Sequence, residues 1–102
     1  MSARSKACNI SPRVRLRVTC RDNMECIICH RGRCLQVAHY IPRSHGGLGI
    51  EENLVLLCLE CHQAYDNGGK RKDYGDFIRN YLRWQYPRWD EAALIYDKRR
   101  DK

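Results

Sequence analysis

The sequence predicts a small α+β domain. Three observations carry that reading: helical spacing towards both ends of the chain, two short β-prone runs in the middle, and a Cys-x2-Cys pair on either side of those runs. With 102 residues the chain is near the lower end of what one hydrophobic core stabilises. A domain of this size commonly carries a staple, either disulfides or a metal.

Residues 1–10 read as a loose basic tail. Ser11-Pro12 then supplies an N-cap with proline at the first helical position, and Val14, Val18 and Arg21 follow at helical spacing. Val14, Leu16, Val18 and Cys20 also alternate as in a strand; the capping signal favours a short helix ending at Arg21-Asp22-Asn23. Leu35, Val37 and Ile41 are β-prone and lead to Pro42. Residues 43–50 form a glycine-rich loop, and Asn53 to Leu57 is a short apolar run into the second cysteine pair. His62 to about Asp66 is expected to be helical, stopped by Asn67-Gly68-Gly69. Tyr74, Phe77, Ile78, Tyr81, Leu82 and Gln85 recur at helical spacing up to Pro87. Such a stripe is expected in the core rather than as a base-stacking platform. Asp90 is placed to cap a final helix through Tyr96.

The seven cysteines decide the staple. No apolar leader opens the chain, and no stretch approaches the roughly 18 apolar residues of a membrane span. A cytoplasmic location is therefore expected, where thiols stay reduced and paired cysteines point to metal. Cys26-x2-Cys29 and Cys58-x2-Cys61, separated by 28 residues, are two knuckles of the kind that close a tetrahedral zinc site. The glycine at position 32 is expected to make the turn after the first knuckle, and His30 offers itself as a replacement ligand that four thiolates make unnecessary. A zinc held by four thiolates has no open coordination position, so its role is structural. Cys8, Cys20 and Cys34 lie outside the pattern.

Charge is distributed unevenly. The net charge is +7, with six basic and no acidic residues in 1–21 and ten basic against six acidic in 70–102. The excess on the two arms favours a polyanionic partner such as nucleic acid, although it also serves solubility. Arg13, Arg17, Arg43 and His45 are candidate contacts to a nucleic acid.

The order of residues between and after the knuckles is more specific. It runs His39-Tyr-Ile-Pro42, Gly46-Gly47, Asn53-Leu54, then Leu57-Cys58-Leu-Glu-Cys61-His62. This segment resembles the HNH endonuclease family, over residues 26–66, with the Arg21-Asp22 dipeptide loosely included. The resemblance implies a ββα-metal (His-Me finger) core with zinc knuckles, flanked by an N-terminal helix and a C-terminal helical extension over 73–100, all within one nuclease domain of residues 11–102. It also implies a metal-dependent endonuclease acting on double-stranded DNA. His39 matches the general base, and a neutral imidazole can take a proton from an attacking water. Asn53 matches the middle residue, which in the family either binds the metal or holds the loop. His62 matches the ligand of a catalytic cation, Mg²⁺ or Mn²⁺/Ni²⁺, that stabilises the leaving 3′-oxygen.

One position departs from the family. The residue before the base is commonly Asp, Glu or His and binds the metal; here it is Ala38. Asp66, one helical turn beyond His62, is expected to make up for it, or else to be an ordinary helix-end residue. Ala38 also supports a rival reading, a zinc-ribbon module that binds nucleic acid without cleaving it. A third reading, a zinc-stapled protein–protein adaptor, draws no support from the basic arms. By family analogy alone, small proteins of this kind sit beside phage packaging or restriction systems. No helix-turn-helix is evident, so sequence reading is expected to need a partner or a second copy.

Overall fold

Ser11 and Pro12 open the helix the sequence predicts. In the computed structural model, which describes residues 2–100, α2 spans Pro12–Arg21, with the Ser11 hydroxyl accepting from the Val14 amide. Preceding it, α1 spans Ala3–Cys8 and is capped by Ser2. The segment read as a loose tail is thus partly helical. Its signal is hard to find in sequence because six residues nucleate a helix poorly alone, and α1 forms where backbone partners from the rest of the fold await it.

The two β-prone runs become β1, Leu35–His39, and β2, Leu54–Cys58. They pair antiparallel, with Leu35 opposite Cys58 and His39 opposite Leu54. All five residues of β2 are buried, because helices cover both of its faces. Val55 and Leu57 join a cluster with Cys58, Cys61, Tyr65, Ile78 and Leu82. Strand alternation turns Leu54 and Leu56 to the other face, and α2 also packs against the strand.

After β2 the chain turns directly into α3, Leu59–Asp66, capped at its N-terminus by the Cys58 sulfur. A turn at Asn67 leads to α4, Arg71–Gln85. Ile78 and Leu82 are wholly buried, as the helical stripe predicts, whereas Phe77 and Trp84 face outward. Fully burying one such aliphatic side chain contributes about 1.5–3 kcal/mol.

The final helix expected from Asp90 does not form. Asp90 caps Ala92, but only a 3-10 turn over Glu91–Leu94 follows. The next residues are held instead by the glycine-rich loop: Leu48 N–H donates to Leu94 O at 2.8 Å and Tyr96 N–H to Gly46 O at 2.8 Å. Ile95 bridges Gly47, and that external pairing replaces helical bonds. No helix among the described residues is long and apolar enough to cross a membrane.

An ion pair ties these layers together. Arg21 clasps the adjacent Asp22 through two nitrogens at 2.7 and 3.0 Å. Its remaining donors reach Glu51 O, Leu54 O and the Tyr86 hydroxyl. Asp22 accepts from Leu56 N–H at 2.8 Å and from the Tyr81 hydroxyl. The pair thus joins α2 to β2 and α4. Burial opposes the Arg21 charge, but Asp22 beside it more than restores it, and the guanidinium is held above its ordinary range.

Candidate active site and metal centre

The sheet and the start of α3 bring the two knuckles together. The sulfurs of Cys26, Cys29, Cys58 and Cys61 all lie within 4.8 Å of one another, and those of Cys29 and Cys58 are 3.5 Å apart. Zn–S bonds of about 2.3 Å in a tetrahedron separate sulfurs by about 3.8 Å, so the cluster can hold such an ion. Each knuckle is pre-shaped by its backbone, with Cys29 N–H aimed at the Cys26 sulfur and Cys61 N–H at the Cys58 sulfur. Burial pushes the Cys26 thiol up, yet backbone hydrogen bonds from Cys29, Cys58 and Ile28 prevail and bring it down to about 7. Burial and the neighbouring sulfurs push Cys61 up. The turn after the first knuckle is made by His30, at φ 65°, rather than by Gly32. The His30 side chain pairs with Glu25 on the surface, away from the cluster.

A cleft of about 570 Å³ opens at the far end of β1, lined by His39, Arg43, His45, His62, Asp66 and Arg71, among others. His39 ends β1. Its Nε2 lies 3.0 Å from the carbonyl oxygen of Cys8. A carbonyl only accepts, so Nε2 carries the proton and the lone pair of the neutral ring sits on Nδ1. Burial lowers the His39 pKa below its ordinary value; nearby Arg43 and His62 act in the same direction, against the Cys8 bond and Asp66.

His62 and Asp66 project from one face of α3, with Nε2 and Oδ2 2.9 Å apart. The other ring nitrogen, Nδ1, meets Gln36 Oε1 at 2.5 Å. That amide oxygen accepts from Nδ1–H, and Nε2 faces the Asp66 carboxylate one helical turn on. Ligands at neighbouring corners of an octahedral ion with bonds of about 2.1 Å are about 3 Å apart, which the pair matches.

Comparison with known proteins places this geometry. Residues 26–68 match the HNH endonuclease family. The fold is also similar to that of ScoMcrA, described as a type IV phosphorothioation-dependent restriction endonuclease. The TM-score is 0.64 at 22% identity, over 74% of this chain and 17% of that one. The chain therefore spans about a sixth of that protein, and the likeness is one of fold. No curated protein matches the chain.

Within the matched segment, His39, His62 and Asp66 share the cleft, and Asn53 stands behind it. Asn53 is wholly buried. Its Oδ1 accepts from Ile41 N–H at 2.8 Å, and its Nδ2 donates to Ile41 O and Leu48 O at 3.2 and 2.9 Å. Both ends of the amide are thus committed to the loop between the strands, and Asn53 does not reach the cleft as a cation ligand. Ala38 is buried in the core cluster with Tyr65 and Ile78. Of the basic candidates, Arg43 and His45 line the cleft. Arg17 is instead paired with Glu51 at 3.2 Å, and Arg13 is exposed on α2, outside the cleft lining.

Three contributors escaped the sequence reading. Arg71 lines the cleft with its guanidinium 4.4 Å from the centre of the Tyr65 ring, a stacking contact that fixes its direction. Gln36 orients His62, and Cys8 orients His39 through its backbone. Alternation along β1 could have flagged Gln36 as an exposed residue near the site, but nothing in the composition of 1–10 marks Cys8.

Proposed function

We propose that this chain is a metal-dependent endonuclease that hydrolyses phosphodiesters of double-stranded DNA. The observation that carries the reading is the gathering of His39, His62 and Asp66 on one basic cleft. Nδ1 of His39 accepts a proton from water as its oxygen attacks phosphorus, the P–O3′ bond breaks, and the released 3′-oxygen is protonated by solvent. His62 and Asp66 hold a divalent cation, Mg²⁺ or Mn²⁺/Ni²⁺, which when bound neutralises the scissile phosphate and stabilises the leaving oxygen. Asn53 holds the loop that frames the base, and Arg43, His45 and Arg71 receive phosphate oxygens. The four cysteines hold a structural zinc that anchors the start of α3, directly beside His62.

Ala38 favours a second reading, in which the same surface binds DNA without cutting it. The 2.9 Å His62–Asp66 spacing supports the enzyme instead, because α3 then supplies the ligand that position 38 lacks. A role in restriction, the activity named for ScoMcrA, would need a partner or second copy to read sequence. Plasmid nicking separates the readings. The zinc-loaded protein is incubated with supercoiled plasmid and Mg²⁺, Mn²⁺ or Ni²⁺, with EDTA as control. Metal-dependent nicking is expected; DNA binding with no nicking under any of these metals overturns the enzyme reading.

A further inference from the structure

The base-oriented cleft is completed by a segment outside the residues that match the HNH family. α1 is held by four polar contacts, three to the glycine-rich loop and one to the end of β1. Arg4 donates to Ser44 O at 3.1 Å and Arg43 to Ser5 O at 3.3 Å. Gly49 N–H donates to Ala7 O at 3.0 Å, and His39 Nε2 to Cys8 O at 3.0 Å. Cys8 is 1% exposed and is the buried side chain of α1. The seat is tight: a Cβ on Gly49 would come within 2.0 Å of Asn9 O.

We propose that α1 is a detachable positioning element for His39: docked, its Cys8 carbonyl fixes the proton on Nε2 and leaves Nδ1 open to water, and undocked, it releases the ring and lowers activity. This rests on the reading of His39 as the base. The docking itself is built from backbone bonds and two arginines rather than from an apolar face. Each of those bonds is individually modest, so a six-residue helix held by them is expected to open before the sheet and α4 do. A nucleic-acid strand or partner that competes for Arg4 or Arg43 would act on the base without touching it.

The test uses the full chain, loaded with zinc, in a Cys20→Ser, Cys34→Ser background. Gly49→Val is expected to force α1 from its seat and alters no residue that lines the cleft; Arg4→Ala removes one tether and serves if Gly49→Val loses zinc. Labelling of the Cys8 thiol reports undocking, and side-chain ¹⁵N NMR reports the proton on His39. In the parent, Cys8 is expected to be protected and His39 protonated at Nε2. In the variants, Cys8 labels faster, the two ring nitrogens draw together in shift as the tautomers mix, and kcat for nicking falls about tenfold or more with KM held within about twofold. Exposed Cys8 with an unchanged His39 spectrum or an unchanged kcat overturns the proposal. A parent His39 not protonated at Nε2 overturns it too. The NMR arm needs no cleavage, so a parent chain that never nicks would sink the nuclease reading and leave the positioning claim to be judged by the spectrum.

Discussion

His62 Nε2 and Asp66 Oδ2 stand 2.9 Å apart on one face of α3, with the far ring nitrogen of His62 fastened to Gln36. In the reading proposed above, the pair supplies a divalent cation with two adjacent ligands. Asp66→Ala is expected to weaken Mn²⁺ binding about tenfold or more, since removal of a charged oxygen ligand moves affinity by decades. Calorimetric titration of the zinc-loaded protein measures it. Unchanged Mn²⁺ affinity would reduce Asp66 to a helix-end ion pair.

The pH profile of cleavage follows from the surroundings of His39. Burial disfavours the imidazolium and sets its pKa below the ordinary 6.5. The neutral base therefore persists to lower pH than in a free histidine, and kcat/KM is expected to rise with pH with its midpoint below that of an unperturbed histidine. The same shift bears on stability. A depressed folded-state pKa means that the unfolded chain binds the proton more readily. The His39 contribution is then fully present above the unfolded value and is lost as pH falls through the folded one. Urea titrations between pH 5 and 8, compared with His39→Ala, check the sign.

Removal of a metal held by the four-cysteine cluster should unfold the domain rather than merely inactivate it. The cluster joins the first knuckle to the end of β2 and the start of α3, and structural zinc in small domains supplies about 10–16 kcal/mol of apparent binding free energy. A strong chelator is expected to abolish the cooperative thermal transition, and Zn²⁺ to restore it. A chelated protein that still melts cooperatively at the same temperature would contradict this.

Asp22→Ala is expected to destabilise the fold by about 3–5 kcal/mol, because it leaves the Arg21 charge without its buried partner. It also strips the Leu56 amide and the Tyr81 hydroxyl of their acceptor. Chemical denaturation measures the loss. A change below about 1 kcal/mol would place the pair with ordinary surface ion pairs.

What the sequence made legible is what depends on local spacing. The cysteine pairs, the Ser11-Pro12 start of α2 and the apolar stripe of α4 each follow from chemistry within a few residues. So does the one-turn offset between His62 and Asp66. The remainder depends on contacts between distant segments. Cys8 reaches His39 across 31 positions and Gln36 reaches His62 across 26; neither separation leaves a periodic trace. The turn at the first knuckle fell to His30 rather than Gly32 because the backbone bonds Cys26 N–H to Arg31 O and His30 N–H to Cys26 O fix its geometry. Net charge could not say which arginines face the cleft: Arg71 does, whereas Arg17 is spent on Glu51.

The central claim is that His39 is the base of a phosphodiester hydrolase, and its most direct measurement is the nicking rate of His39→Ala beside the parent chain. Both proteins are compared at equal zinc content, in saturating Mn²⁺, above the pH at which the parent rate levels off. A fall of about 10²- to 10⁴-fold, the range general-base catalysis contributes, is the result expected. Nicking by His39→Ala at the parent rate would contradict the account.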